Sequence, residues 1–355
     1  MKSLKLVVII IICMSCSNKK LAQINYSTVD KPQIKQVYPD STWTFTAPSN
    51  YGFSESKLDS LKQHFEAIGG EAFFVVKNGY VIASWGEVTK PIPNWSMRKS
   101  YLNALLGMAY DESKFSLDDT LEQLNIDDVQ GLTSSEKEAK IRHLLSSSSG
   151  VYHPAATESN EQKKLKPKRG SSRAGERFYY NNWDFNTLGY FYNQVTNEDL
   201  FESFETRIAN EIGMEDFSLE HTMYKHEASK SKMPSFLFSS SARDDARFGY
   251  LFLRNGQWKN KQLVSENWVS MSSKLQIKTP ENRYYDYGML WWVDVKNNMY
   301  FARGNSGQYI AVIPDENMVI VFRADPGSIF KKWTKSRVSP IESFQMIPKF
   351  LMAKE

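Results

Sequence analysis

The sequence predicts an α+β fold: one antiparallel sheet flanked by N- and C-terminal helices, with a mostly helical subdomain inserted at about residues 96–240. Three observations carry this. A strand pair turning at Asn78-Gly79 stands early in the chain, strand-like segments return after residue 256, and the stretch between them has helical periodicity. Taken in order, SESKLDSLKQHFEAI (54–68) spaces Leu58, Leu61, Phe65 and Ile68 as one face of a helix behind a serine cap. EAFFVVKNGYVIASWG then reads as a hairpin. SARDDARFGYLFLRNG (241–256) is a helix ending at a turn, followed by strands in YGMLWWVDV, MYFARG, GQYIAVI and NMVIVFRA, with PDEN (314–317) turning between the last two. PIESFQMIPKFLMAK (340–354) closes with an amphipathic helix. No internal repeat is present.

Upstream of the domain the chain has a different character. MKSLKLVVIIIICMSC combines two lysines, an apolar run over Leu6–Ile12 and small residues before Cys16, the pattern of an export signal rather than a spanning helix. Residues 1–22 are therefore expected as a signal peptide, 23–50 as a Ser/Thr/Pro/Gln-rich tether, and 51–355 as the folded domain. Two processing sites fit. Cleavage before Cys16, with lipidation of that cysteine, follows the lipoprotein pattern; cleavage near Ala22 is the competing site. Either way the chain is expected to be exported, in a bacterium, as a periplasmic or outer-membrane-anchored protein.

Composition narrows the chemistry. With 355 residues, 41% of them apolar and 14% aromatic, the chain can build a substantial core. Its formal charge of +4, part of it on Lys2 and Lys5, is too weak to imply a nucleic-acid partner, and the basic run from Lys163 to Arg177 reads as a solvated loop. Both cysteines lie in the leader, so the mature chain offers neither a disulfide framework nor a catalytic thiol. Among the histidines, His221 and His226 are five residues apart and do not share a helical face. No H-E-x-x-H occurs, and neither a metal nor another cofactor is expected. G-x-S-x-G is absent too, which argues against a nucleophile-elbow hydrolase.

The remaining chemistry concentrates in three segments. NWSMRKSYLNALLGMAYDE places Ser96 at the head of an apolar-periodic helix (Met97, Tyr101, Leu105, Met108), with Lys99 one turn on and on the same face. A lysine among apolar neighbours loses hydration and becomes a proton acceptor, and the helix start offers N–H groups to an oxyanion. On this segment alone, a capped core helix with a snorkelling lysine fits as well, and S-x-x-K recurs at Ser17, Ser54, Ser134, Ser229 and Ser328. RFYYNNWDFNTLGYF adds Tyr180-x-Asn182 before a helix, a phenol able to relay a proton and an amide able to orient the lysine and a carbonyl. FARGNSGQYIAVI adds a glycine-rich corner, where Gly304 and Gly307 would let a substrate backbone approach the strand edge. Trp183, Trp291 and Trp292 fit either an acyl pocket or the core, with the core preferred.

In this order and spacing the three segments resemble the serine beta-lactamase and penicillin-binding-protein superfamily, whose motifs are S-x-x-K, Y-x-N and K-T-G or H-x-G. The likeness is to the class C beta-lactamase-related branch, with its esterases, D-aminopeptidases and nylon-oligomer hydrolases. It spans roughly residues 53–324 and implies a beta-lactamase/transpeptidase-like fold. By that resemblance Ser96 is the acylated nucleophile, Lys99 the amine that activates it, Tyr180 the catalytic phenol and Asn182 its companion amide. The backbone N–H groups of Ser96 and Gln308 form the oxyanion hole, and Asn305, Ser306 and Gly307 are the third motif, facing substrate. One departure stands out: Asn305 occupies the place of the family's Lys or His and carries no charge for a substrate carboxylate. The implied substrate is therefore a small ester, an amide or a peptide-like bond, with weak or absent beta-lactam hydrolysis. Two alternatives remain: a true beta-lactamase or D,D-peptidase, and a non-catalytic lipoprotein using the fold to bind cell-wall peptide or another ligand.

Overall fold

The computed structural model describes residues 37–280, 285–325 and 338–355. Among them the main sheet has seven strands. The first hairpin is β1 (Ala72–Lys77) and β2 (Tyr80–Gly86), and the short strand β3 (Ile92–Pro93) leads into the Ser96 turn. Strands β4 (Thr222–Lys225) and β5 (Ser235–Ser240) lie mid-chain. Toward the C-terminus come β6 (Asp286–Tyr287), β7 (Trp292–Asp294), β8 (Met299–Arg303), β9 (Tyr309–Ile313) and β10 (Met318–Arg323). The order across the sheet is β2-β1-β10-β9-β8-β7-β6, antiparallel throughout. The expected α+β class is thus observed, and the opening hairpin is zipped onto the last strand, Ala72 opposite Arg323 and Lys77 opposite Met318.

The hairpin turns where expected. Asn78 and Gly79 have φ of 52° and 89°, the left-handed pair that a two-residue turn between twisted strands requires. A Cβ on Gly79 would also lie 2.0 Å from the Val37 carbonyl oxygen, so glycine is demanded twice. Helix α1 (Glu55–Ala67) buries Leu58, Leu61 and Phe65, and the Phe65 ring meets Phe322 at 5.8 Å. The other major helices are α2 (Arg98–Asp111), α3 (Asn182–Thr196), α4 (Ala242–Leu253), α5 (Glu266–Ser272) and α6 (Pro340–Leu351). Helix α6 packs beside α1, its Phe350 resting on Phe53 and on Phe73 of β1, while α4 packs on β1, β9 and β10.

Three expectations need correction. The tether was expected to reach residue 50, with folded structure starting near Phe53, but residues 37–50 dock on the domain. Trp43 is 6% exposed, its ring 5.9 Å from Phe74 and its indole N–H on the Arg243 carbonyl. Buried Arg247 donates to the carbonyls of Asp40 and Ser41. The segment has no period of its own because one aromatic anchor and a guanidinium on its carbonyls hold it, and neither leaves a repeating pattern. The signal peptide, Cys16 and residues 23–36 lie outside the described residues.

The inserted block, 96–240, also supplies β4 and β5 to a small sheet in the order β3-β5-β4, and the polar loop 152–175 carries a short helix, Asn160–Leu165, capped by Ser159. YGMLWWVDV is two strands rather than one. Residues 288–291 turn between them, with Leu290 at φ 59°. Polar side chains of α2 hold that turn: Ser100 donates to the Leu290 carbonyl at 2.9 Å and Asn103 to the Met289 carbonyl at 2.9 Å. Every residue of α2 from Arg98 to Ala109 is buried. A helix enclosed on all sides must bring partners for its polar groups, and this turn is one of them.

Candidate active site

Ser96 sits in a tight turn, Trp95–Met97, that runs straight into α2. Trp95 has φ 49°, a left-handed conformation that costs a bulky residue roughly 1–3 kcal/mol and that the packing around the turn must hold. One helical turn on, the Lys99 amine lies 2.8 Å from Ser96 Oγ. Lys99 is 2% exposed, and its Nζ stands 4.6 Å from the centroid of the Phe185 ring and 5.0 Å from that of Tyr180. Burial, reinforced by the like charge of Arg98, holds this amine well below the ordinary lysine range. An amine shifted in this direction and within hydrogen-bond reach of a hydroxyl has the geometry of a general base beside its nucleophile.

The second motif forms the wall opposite. Tyr180 precedes α3, and its ring stacks on Trp292 at 5.5 Å and 21°, meeting Tyr287 at 6.1 Å. Trp292 is thus part of the site wall, whereas Trp183 and Trp291 are fully buried in the core. Asn181 caps α3 through Trp183 N–H and also binds the buried Asp184, whose carboxyl is raised well above its usual range by desolvation. Asn182 departs from expectation. Its amide donates to the Thr157 carbonyl at 3.0 Å and accepts from Gln162 at 3.2 Å, so it orients the 157–162 loop rather than Lys99. The loop takes one of its two N–H donors and one of the two lone pairs on its oxygen, a choice that only the tertiary fold makes.

The third motif follows β8. Asn305–Gly307 form a turn with Ser306 at φ 62°, and exposed Asn305 accepts the Ser306 N–H at 2.9 Å. Both glycines are required by the protein's own packing. A Cβ on Gly304 would lie 2.7 Å from the Asn94 carbonyl oxygen, and one on Gly307 would lie 2.3 Å from Ser343 Oγ on α6. Strand β8 can therefore close directly on the Ser96 turn. Gln308 completes that closure: its amide donates to the Pro93 carbonyl at 3.1 Å, and its backbone, extended at φ −71° and ψ 143°, leads into β9. Gln308 is thereby fastened to the segment that carries Ser96.

Two residues outside the three motifs fasten it. Arg323 on β10 and Asp245 on α4 form an ion pair, both 0% exposed. Arg323 also donates to Gln308 Oε1 at 2.7 Å, to the Ile92 carbonyl at 2.5 Å and to the Ser240 carbonyl at 3.0 Å. Asp245 takes the Tyr101 hydroxyl and lies 2.6 Å from Ser240 Oγ, which is 2.8 Å from Asn94. One guanidinium thus ties together β3, β5 and the third motif. Its sequence signal was a lone arginine at the end of an apolar strand and a DD pair inside a buried helix. Among the described residues no group of three or more His, Cys, Asp or Glu is placed to hold a metal ion.

The arrangement can be set beside known proteins. Protein flp of Staphylococcus aureus (strain MRSA252) is 23% identical over 326 residues, which cover 78% of this chain and 64% of flp, so the chain spans just under two thirds of that relative. A Bacillus anthracis structure, described as a candidate 6-aminohexanoate-dimer hydrolase, superposes with a TM-score of 0.67 at 19% identity, covering 89% of this chain and 88% of its own. The octameric penicillin-binding-protein homologue of Pyrococcus abyssi gives 0.63 at 17%, covering 84% and 77%. At these identities the likeness to the solved structures is one of fold. The profile of the Beta-lactamase family matches residues 58–325, well over half of the chain and all three motifs. By that match, the chain belongs to the Beta-lactamase family.

Proposed function

We propose that this protein is a serine hydrolase that cleaves a small ester or amide through an acyl-Ser96 intermediate. The observation that carries it is the 2.8 Å contact between Ser96 Oγ and a buried, charge-depleted Lys99 amine. Family membership supports a hydrolase on this fold. In the proposed cycle Ser96 Oγ bonds to the acyl carbon as its proton passes to Lys99 Nζ. The carbonyl oxygen becomes an oxyanion facing the N–H groups of Ser96 and Gln308. As the tetrahedral intermediate collapses, the bond to the leaving group breaks and that group takes the proton, relayed by the Tyr180 phenol beside the amine. Water then attacks the acyl-Ser96 ester, gives its proton to the same amine, and releases the acid with Ser96 restored.

Asn305 supports an uncharged or weakly anionic substrate over a penicillin-type carboxylate, because its amide brings no positive charge and already accepts its neighbour's N–H. We expect turnover of p-nitrophenyl esters or D-amino acid amides, abolished in Ser96→Ala, and little hydrolysis of a chromogenic cephalosporin. Rapid, Ser96-dependent cephalosporin turnover would favour a true beta-lactamase or D,D-peptidase instead. The diversion of Asn182 to the 157–162 loop favours a second reading, a ligand-binding protein on a retired hydrolase site. A fluorophosphonate probe separates the two, since a binder leaves Ser96 unlabelled. We further propose export and a lipid anchor on Cys16, on the pattern of the leader alone; mass spectrometry of the N-terminal peptide from wild type and Cys16→Ala tests it. Among the described residues no helix is long and apolar enough to cross a membrane.

A further inference from the structure

Directly beside Lys99 stands a second buried cation. Arg98 is fully enclosed on the first turn of α2, its guanidinium 4.5 Å from the centroid of the Phe236 ring. One hydrogen bond is made, from Nη2 to Ser235 Oγ at 2.6 Å, while Nε and Nη1 have no partner. Burying a guanidinium normally demands a carboxylate, as Arg323 has in Asp245 and Arg247 has in Glu215. Arg98 has instead the Ser235 hydroxyl, the Phe236 ring and the Tyr180 phenol, whose proximity favours the cation but which carries no charge while protonated. Its charge is therefore not cancelled where it stands, one residue from the amine proposed as the base.

The same guanidinium begins a chain of contacts around the site. Ser235 Oγ is 2.9 Å from Thr157 Oγ1, and the Thr157 carbonyl receives the Asn182 amide at 3.0 Å. Arg98 thus links the first motif to the loop that holds the second. We propose that Arg98 is a positioning residue for Lys99: its uncompensated buried charge keeps the neighbouring amine in the proton-accepting form, and its bond to Ser235 fastens the loop that holds Asn182. This inference rests on the reading of Lys99 as the base.

The groups facing the amine leave that charge a direct influence. In contact with it are the Ser96 hydroxyl of its own turn and, from the second motif, the phenol ring of Tyr180 and the ring of Phe185, while Arg98 acts on it through its charge from the adjacent position. Tyr287 lies behind Tyr180, and its phenol is driven up by burial so that it stays neutral. The nearest carboxyl along α3, Asp184, is engaged by Ser149 and Asn181, and desolvation raises it well above the usual carboxylate range. Trp292, on the far side of Tyr180, has no titratable proton in this range. The Arg98 guanidinium itself is lowered by burial to about 10 and so remains charged at neutral pH. Like charges in a low-dielectric interior disfavour a second proton on the pair.

Two variants remove the field by different routes. Arg98→Gln deletes the charge and keeps a donor for Ser235; Ser235→Asp keeps the arginine and supplies the missing carboxylate. In both, the acidic limb of kcat/KM for p-nitrophenyl acetate should move to higher pH, with roughly 10-fold or more activity lost near neutrality and regained above pH 9. A purely structural role would lower the rate without moving the limb. Full-length protein carrying ¹³C-labelled lysine gives a readout that needs no turnover. The Lys99 signal, assigned through Lys99→Met, should titrate at higher pH in each variant than in wild type. An unmoved titration in whichever variants fold overturns the proposal, and Ser235→Asp decides it should Arg98→Gln not fold. If the titration moves while wild type shows no Ser96-dependent hydrolysis, the Arg98–Lys99 coupling stands and the hydrolase reading fails.

Discussion

Substituting Asp245 by alanine tests how the oxyanion side of the site is held. Among the described residues the variant leaves Arg323, 0% exposed, with uncharged acceptors, the carbonyls of Ile92 and Ser240, Ser240 Oγ, Gln308 Oε1 and Asn94 Oδ1, to answer a full positive charge. Removing one member of such a pair costs about 3–5 kcal/mol, because the surviving ion stays desolvated without its counter-charge. A domain of roughly 300 residues unfolds with an entropy near 0.6 kcal/mol/K, so thermal unfolding should fall by about 5–8 °C. Water or a displaced side chain drawn to the orphaned guanidinium would pull Gln308 away from Pro93, and kcat/KM on a p-nitrophenyl ester should drop by about 10–100-fold. The double variant Asp245→Ala/Arg323→Met removes both charges and should cost less stability than Asp245→Ala alone. Circular dichroism melts and initial rates on the four proteins of the cycle suffice. Asp245→Ala within about 1 kcal/mol of wild type and fully active, or a double variant as unstable as the two single losses summed, would refute the account.

Three further outcomes follow from the same structure. Lys99→Met should reduce ester turnover by about 10²–10⁴-fold. It should also raise thermal stability, with a pH signature. Because the folded state holds this amine below its ordinary range, the unfolded chain binds the extra proton between the folded value and about 10.4, so the wild-type contribution rises with pH across that window. The advantage of Lys99→Met is therefore largest at and below the folded value and fades toward pH 10; melts at pH 6, 8 and 10 check it, and a gap independent of pH sinks the explanation. Gly304→Ala places a methyl 2.7 Å from the Asn94 carbonyl, forcing the Ser96 turn and Gln308 apart, and should lose about 10²-fold in kcat while staying folded. Trp43→Ala empties a slot against Phe74 and should cost about 3–5 kcal/mol in urea unfolding; a loss under 1 kcal/mol would return residues 37–50 to the status of a tether.

Local physics made much of this protein legible from sequence. The Asn78-Gly79 hairpin needs two left-handed residues in a row, the face of α1 shows in Leu58, Leu61 and Phe65, and the SxxK spacing puts Lys99 one turn from Ser96 whatever surrounds it. Those features depend on neighbours a few residues apart, and the order of the three motifs then identified the fold. Partner choice across long separations was decided only by the tertiary structure. Whether the Asn182 amide meets Lys99 or Thr157, whether Gly304 lies against Asn94, and whether Trp43 docks are competitions among groups as much as 210 residues apart. The buried charges follow the same rule: Arg323 is paired and Arg98 is not, and nothing in the local sequence of either arginine distinguishes them. Desolvation makes every buried polar group take the best partner the packed interior offers, and the interior exists only once the chain has folded.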